Sequence, residues 1–224
     1  MTNGVRYDLG YADLPGGSAL THTFSLDVAL SPRHVFVTDV PIMRSRGAEE
    51  TDAGIGDVSV EYAVVPYQNL ERRFTSAVLL FEASMPTGDA SRGLGLGTWV
   101  LSPGIGLALN VTDLFPIYTI YHYRHSVGGV VPLGGAGAGD GASTRRRTSE
   151  LDIATVRILP KGFWVLAAAN WMVDPDVWRL SLAATGGRAL SRQFAWSVSY
   201  AEHLAGRRTF DRRWSVALDY LLPW

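Results

Sequence analysis

The last twelve residues of the chain, 213–224, read RWSVALDYLLPW, and this stretch decides the fold class. Large apolar residues occupy every second position, namely Trp214, Val216, Leu218, Tyr220, Leu222 and Trp224. The positions between them carry Arg213, Ser215, Ala217, Asp219 and Leu221. A period of two is that of a β-strand whose two faces meet different surroundings. The segment therefore predicts a strand with one apolar face and one mostly polar face.

The same alternation recurs throughout the chain. Further apolar sets are Phe194, Trp196, Val198 and Tyr200, then Trp178, Leu180 and Leu182, and then Trp99, Leu101, Ile105, Leu107 and Leu109. No segment combines helical apolar spacing with a cap, and no apolar run is long enough for a membrane-spanning helix. These patterns predict an all-β protein.

The turn signals divide the chain into about twelve strands of one domain, residues 1–224. We predict them at 4–12, 20–30, 34–44, 55–66, 73–86, 97–110, 114–126, 149–159, 162–172, 177–187, 193–204 and 209–222. We expect the first of these strands, 4–12, to close the edge of the sheet. The spacing favours a closed antiparallel up-and-down barrel.

The residues between the apolar positions favour a transmembrane barrel over a soluble β-sandwich. They are mostly Gly, Ala, Ser and Thr, and the chain contains a single lysine, Lys161. A water-facing surface normally carries many charges, whereas small polar residues suit a confined barrel interior. Aromatic residues near strand ends suit the two interfacial girdles of a membrane barrel.

The connections fall into two sets that alternate along the chain. Tight connections contain Ser31-Pro32-Arg33, Thr112-Asp113, Pro160-Lys161-Gly162 and Ser191-Arg192, and mostly longer connections cover 45–54, 87–96 and 127–148. Short periplasmic turns and longer extracellular loops are typical of outer-membrane barrels. An even strand number places both termini at the periplasmic end.

Composition excludes several classes of function. A formal net charge of -1 argues against a nucleic-acid partner, and the absence of cysteine excludes disulfides, thiolate metal sites and cysteine nucleophiles. Residues 1–10 show no signal peptide. Location in the outer membrane therefore predicts that a signal peptide has been removed.

Three glycine-rich motifs occur in a fixed order. Gly54-Ile55-Gly56-Asp57 opens a strand, Pro86-Thr87-Gly88-Asp89 closes the next, and Gly93-Leu94-Gly95-Leu96-Gly97-Thr98 opens the one after it. Over roughly residues 20–125 the chain resembles the MetA-like outer-membrane family of a phenol-degradation pathway, itself similar to the fatty-acid and hydrocarbon transporters. The closing strand that ends at Trp224 resembles the terminal aromatic signal read by the barrel-assembly machinery.

The resemblance implies a porin-like channel of a Gram-negative outer membrane for passive uptake of aromatic or other apolar compounds. It implies no cofactor and no catalytic residue. The hydrocarbon transporters have an N-terminal hatch, whereas fewer than twenty residues precede the second strand here. We therefore expect a narrow channel or a lumen filled by wall side chains.

The alternation places charges of both signs inside the barrel. The predicted lumen and selectivity residues are Asp57, Glu61, Glu82, His122, Arg124, Glu150, Asp152, Arg179, Arg213 and Asp219, and Asp27 shares this face. Opposed acidic and basic groups can set a transverse field that selects permeants. The alternative is a set of ion pairs that stiffens the wall, because a buried charge must be paired.

Arginines concentrate at the predicted extracellular end. Candidate contacts to lipopolysaccharide phosphates are Arg44, Arg46, Arg145, Arg146, Arg147, Arg207 and Arg208, and Arg92 and Arg212 lie on the same side. Ordinary solvated loop charge is the alternative. Gly134, Gly135, Gly137, Gly139 and Gly141 lack the following Gly-Lys-Ser/Thr of a phosphate loop, so we predict an external loop.

An enzyme is the least favoured hypothesis. His122, His125 and Ser126 suggest a hydrolase, but His125 and Ser126 point to opposite faces of one strand and no orienting partner is evident. His22, His34 and His203 show no metal-ligand spacing, so no metal site is predicted. The predicted function is a passive channel for a small solute. The alternative is a closed structural barrel or a subunit of an envelope assembly.

Overall fold

Thirteen antiparallel strands are found in the computed structural model, which describes residues 3–47, 51–112, 115–127, 147–174 and 177–222. The strands are β1 Gly4–Leu14, β2 Gly17–Ser31, β3 His34–Arg46, β4 Thr51–Ile55, β5 Ser59–Gln68, β6 Phe74–Ser84, β7 Trp99–Thr112, β8 Phe115–Val127, β9 Arg147–Ile158, β10 Phe163–Asp174, β11 Val177–Ala189, β12 Phe194–Gly206 and β13 Arg212–Leu221. Two single 3₁₀ turns, Ala90–Arg92 and Pro160–Gly162, complete the described elements. Within these ranges no helix is long and apolar enough to cross a membrane.

The sheet closes on itself. Apart from β4 and β5, consecutive strands pair with each other, and β1 also pairs with β13, with Gly4 opposite Leu221. Strands β4 and β5 both pair with β3, so together they occupy one position in the barrel. The prediction of a twelve-strand up-and-down barrel is therefore confirmed, with its fourth strand interrupted at residues 56–58.

The two faces of the wall differ as the alternation predicts. Outward side chains such as Leu26, Trp171 and Trp214 remain 45–50% exposed. An apolar surface that encircles a protein is strongly unfavourable in water, whereas it matches the hydrocarbon of a bilayer. The outer face is therefore the membrane-facing one, and the inner face carries mainly Ala, Gly, Ser and Thr.

The barrel has two distinct ends. We call the end with connections 85–98 and 128–146 the loop end, and the end with connections 32–33 and 190–193 the turn end. The sidedness is less strict than predicted, because β1 and β2 are only two residues apart at the loop end. The most buried large apolar side chains among the described residues, Leu94 and Phe210, both come from loop-end connections.

Candidate functional site in the barrel interior

The strand register places most of the predicted lumen charges on the inward face. Glu61 shares its face with buried Ala63, and Asp219 shares its face with buried Ala217. The inward set contains Asp27, Glu61, Glu82, His122, Arg124, Glu150, Asp152, Arg179, Arg213 and Asp219. Apart from Asp27 on β2 and Arg213 and Asp219 on β13, these charges lie in two regions, a bonded group on β8–β11 and an acidic group on β3–β6.

The bonded group centres on Asn170 of β10. The Asn170 side-chain nitrogen donates to Glu150 Oε1 at 2.6 Å and to Asp152 Oδ1 at 2.7 Å. Arg124 Nη2 lies 3.2 Å from Glu150 Oε2, and Arg179 Nη2 donates to Asn170 Oδ1 at 3.3 Å. The amide thus separates two carboxylates with its donors and binds a guanidinium with its acceptor. This arrangement favours the wall-stiffening alternative for the four charged residues.

The acidic group lacks such partners. Asp39 of β3 lies on the inward face with Glu61 and Glu82, which face each other across β5 and β6. Across the described ranges, no cation forms an ion pair with any of these three carboxylates. The predicted transverse field thus has an acidic wall on β3–β6. Sequence reasoning missed Asp39, although its alternation with the outward Phe36, Thr38 and Val40 on β3 was a sufficient signal.

Arg6 of β1 was also missed. Its guanidinium forms an ion pair with Asp219 of the neighbouring β13, and 57% of its side chain is accessible to solvent. The alternation of Arg6 with Val5 and Tyr7 would have placed it inside. The interior near Arg6 therefore holds space for water.

The three glycine-rich motifs meet at the loop end, around Asp57. Asp57 Oδ1 accepts a hydrogen bond from the Gly88 nitrogen at 2.9 Å, and Oδ2 accepts one from the Leu96 nitrogen at 2.6 Å. Thr87 Oγ1 accepts from the Val58 nitrogen and donates to the Gly56 carbonyl oxygen, both at 2.8 Å. Both carboxylate oxygens of Asp57 thus hold connection 85–98, which supports a structural role for this predicted lumen residue.

Connection 85–98 lies on the inner side of β3 and β4. Leu94 is 2% exposed, and a Cβ at Gly54 would lie 2.9 Å from its Cδ1. A Cβ at Gly88 would lie 2.4 Å from the Leu94 carbonyl oxygen, so only glycine permits this close approach. The motif order seen in the sequence therefore encodes a connection folded into the barrel mouth.

The tip of this connection is fixed by a hydrogen bond within it and by an ion pair to strand β4. The Ser91 hydroxyl donates to Asp89 Oδ1 at 2.6 Å, and this hydrogen bond lowers the pKa of Asp89. Arg92 Nε lies 2.8 Å from Asp52 Oδ1, and the bond to Asp52 raises the pKa of Arg92. The ion pair thus ties Arg92 of connection 85–98 to Asp52 of β4.

We predict that Asp57→Ala detaches connection 85–98 without unfolding the barrel. The variant loses two charge-assisted hydrogen bonds, which together contribute about 3–6 kcal/mol to holding the connection in place. Amide hydrogen exchange at Gly88 and Leu96 should rise strongly in folded protein. Asp52→Ala is the matched control, because it removes only the exposed contact to Arg92. Equal protection in Asp57→Ala and wild type would contradict the assignment.

Phe210 enters the interior from connection 207–211, on the opposite side of the barrel. Its ring is 4% exposed and lies 4.7 Å from the Arg213 guanidinium carbon and 5.9 Å from that of Arg179. Each cation–π contact contributes about 0.5–2 kcal/mol, depending on desolvation. Thr209 Oγ1 accepts from Arg179 Nη1 at 2.6 Å. Phe210 falls within the predicted strand 209–222, where its even position would place it outward with Trp214, whereas β13 begins only at Arg212 and Phe210 belongs to the connection before it.

The inner wall becomes apolar toward the turn end. Val78 and Ile120 flank Gly106, where a Cβ would lie 2.4 Å from Val78 Cγ1. Trp164 covers Gly187 on the neighbouring strand. A molecule that crosses the barrel would therefore meet charged groups first and apolar side chains later.

Several predicted outer arginines lie near the loop end. Arg44 and Arg46 project outward at the end of β3, opposite Ala53 and Thr51, and Arg147 begins β9. The backbone N–H of Arg207 donates to the Trp178 carbonyl oxygen at 2.9 Å. The Arg208 side chain forms an ion pair with Asp211, with 3.3 Å between Nη1 and Oδ1. Arg145, Arg146 and the glycines of 134–141 lie outside the described residues.

The residues considered for catalysis are separated. Ser126 is 4% exposed on the inward face of β8, and His125 is on the outward face. His22 and His34 lie on the outward face, where they bond to Tyr7 and Tyr62 hydroxyls at 2.7 and 2.6 Å. Among the described residues no group of three metal-ligating side chains comes together.

No protein-family model and no curated protein matches the sequence. Solved structures of outer-membrane channels and porins share the closed-barrel fold of this chain. The COG4313 outer membrane channel from Pseudomonas putida F1 matches with a TM-score of 0.72 at 10% identity, over 99% of this chain and 96% of that chain. The KdgM porin matches with a TM-score of 0.66 at 9% identity, over 98% of this chain and 99% of that chain. The CymD monoaromatic hydrocarbon channel matches with a TM-score of 0.52 at 8% identity, over 99% of this chain and 88% of that chain. At these identities the similarity establishes the fold.

Proposed function

We propose that the chain is a passive outer-membrane channel that admits small molecules with an aromatic or apolar body. The observation that carries the proposal is the accessibility of inward-facing arginines. Arg6 and Arg124 point into the barrel, yet 57% and 42% of their side-chain surfaces are accessible to solvent. A packed interior would bury such groups completely. Accessible charges inside a closed barrel support a water-filled passage.

Between its charged and its apolar regions, the inner wall has a row of small side chains. Ala154, Ala168, Ala183 and Ala201 lie side by side across β9–β12 on the inward face. Alanine leaves the space in front of it free. The apolar side chains beyond this row support a permeant with an apolar body, and the structurally similar CymD is a monoaromatic hydrocarbon channel.

A closed structural barrel is the second candidate function. The Asn170 network favours it, because hydrogen-bonded charges stiffen a wall without any permeant. The two candidates differ in flux. The purified protein in liposomes should admit small solutes and conduct ions, whereas a sealed bilayer at every voltage would support the structural role.

We predict that Ala168→Trp reduces flux by about tenfold while the barrel still folds, since permeation depends steeply on pore diameter. Ala169→Trp is the matched control, because Ala169 is the next residue and faces the membrane beside Trp171. Liposome swelling measures both variants. Equal flux in wild type and Ala168→Trp would place the passage elsewhere or exclude it.

We also propose that the outward arginines near the loop end, Arg44 and Arg46 among them, contact lipopolysaccharide phosphates. Their position at the membrane-facing edge of β3 supports this, because guanidinium groups bind phosphate in a fork. We further propose that the barrel-assembly machinery inserts this protein into the membrane, because its closing strand β13 resembles the terminal signal that this machinery reads.

A further inference from the structure

The environment of Phe210 is unusual for a residue in a connection. Its side chain is 4% exposed, and its ring centroid lies 4.7 Å from the guanidinium carbon of Arg213 and 5.9 Å from that of Arg179. Both arginines are inward-facing residues of the strands that flank this side of the mouth. An aromatic ring in contact with two cations is a chemically specific arrangement.

The position of Arg179 does not depend on Phe210. Arg179 Nη2 donates to Asn170 Oδ1 at 3.3 Å, and Asn170 is itself held by Glu150 and Asp152. A second bond, from Nη1 to Thr209 Oγ1 at 2.6 Å, comes from the connection itself. The bond to Asn170 is therefore the one by which the strands hold the guanidinium group at this place in the interior.

Unused hydrogen-bonding groups surround this place. Arg179 Nε, Arg124 Nε and His122 Nδ1 have no hydrogen-bond partner although they are buried. Such buried polar atoms retain hydrogen-bonding capacity that a polar molecule in the interior can use. The Nε–H edge of a guanidinium binds carboxylate through two parallel hydrogen bonds.

Phe210 itself is attached by few bonds. The described backbone hydrogen bonds of its connection lie near the ends, from Arg207 to Trp178 and from Asp211 to Asp13. The Arg213 residue remains exposed toward the interior. Movement of residues 208–210 would therefore open the space beside the two arginines, breaking the Thr209 bond to Arg179 but leaving the strand pairing intact.

We propose that Phe210 occupies, in the empty channel, the place of the ring of a permeating aromatic carboxylate, and that Arg179 and Arg213 recognise this permeant. The ring would lie between the two cations, and the carboxylate would take the free Nε–H edge of Arg179. The acidic wall of Asp39, Glu61 and Glu82 lies on the other side and repels the anion toward the arginines. This inference rests on the proposed channel function.

The test compares three solutes in liposomes that contain the purified protein. Benzoate has the ring and the charge, cyclohexanecarboxylate has the charge without the aromatic ring, and benzyl alcohol has the ring without the charge. Benzoate should cross fastest in the wild type. In Arg179→Met or Arg213→Met, the benzoate-to-benzyl alcohol flux ratio should fall by about tenfold, since a lost charged contact changes an equilibrium by that order.

Two further variants separate recognition from folding. Phe210→Leu keeps the bulk and removes the aromatic ring, so benzoate should enter faster and still exceed cyclohexanecarboxylate. Arg188→Met is the matched control, because Arg188 lies 4.8 Å from the Phe163 ring on the outer wall. Its solute ratios should equal those of the wild type.

The outcomes distinguish the two proposals. Unchanged solute ratios in folded Arg179→Met, Arg179→Lys and Arg213→Met, with normal flux of benzyl alcohol, would overturn the aromatic carboxylate assignment and leave the channel intact. Absence of flux for all three solutes in the wild type would overturn the channel function, and this inference would fall with it.

Discussion

A Phe24→Arg variant is expected to lose about 2–4 kcal/mol of folding free energy in a bilayer, the cost of a cation on the lipid face near the midplane of a barrel. Phe24 lies midway along β2 and is 47% exposed on the outer face. Its ring centroid lies 5.2 Å from that of Tyr7. The variant therefore loses an aromatic contact and also places a charge in hydrocarbon. Denaturant unfolding in lipid vesicles, followed by the gel shift between folded and unfolded protein, measures the loss.

The neighbouring residue provides the control. Thr23 points inward and lies opposite Asp8 of β1, so an arginine introduced there gains an acidic neighbour and solvent. Thr23→Arg should fold with nearly unchanged stability. Similar losses in both variants would contradict the assignment of the two faces.

The second large effect concerns ion selectivity. A cation that passes roughly 8 Å from both Glu61 and Glu82 in water gains about 1 kcal/mol at low salt and an anion loses about as much, which is about a thirtyfold preference for cations over anions. Screening at 0.1 M salt reduces this preference to about fivefold. Glu61→Gln combined with Glu82→Gln should lower the cation-to-anion permeability ratio by these factors.

Reversal potentials across a planar bilayer under a salt gradient provide the measurement. Glu71→Gln is the matched control, because Glu71 lies in the connection between β5 and β6 at the turn end, outside the wall. A ratio unaffected by the double substitution, with conductance retained, would remove these carboxylates from the permeation path.

The strands and their faces could be predicted because a period of two is a local property of the sequence. Trp214, Val216 and Leu218 alternate with Ser215 and Ala217 on any extended strand, and a barrel exposes the larger set to lipid. The observed bounds of β10, Phe163–Asp174, differ little from the predicted 162–172. The interruption between β4 and β5 had no local signature.

The interior was predictable only in part, since partners come from distant segments. The inward orientation of Glu61 and Arg124 could be predicted from alternation alone. Asn170 was not predicted as a site residue, because its side chain is neutral and only charged residues were considered. Asp57 alternates like a lumen residue, but its partners Gly88 and Leu96 follow some thirty to forty residues later. The burial of Phe210 depends on two arginines from different strands and is invisible in the sequence.

The pairing of β1 with β13 determines when the protein can become a complete barrel. Gly4 lies opposite Leu221, so the ladder that seals the wall joins the first strand to the last. Every other strand pair is a hairpin of near neighbours, whereas this contact must wait for the whole chain and carries a large loop-closure entropy. Until then, two unpaired edges remain available for pairing with other chains. Folding of this protein is therefore expected to have a slow final phase that is sensitive to aggregation, and a factor that shields the edges of β1 and β13 should accelerate productive assembly.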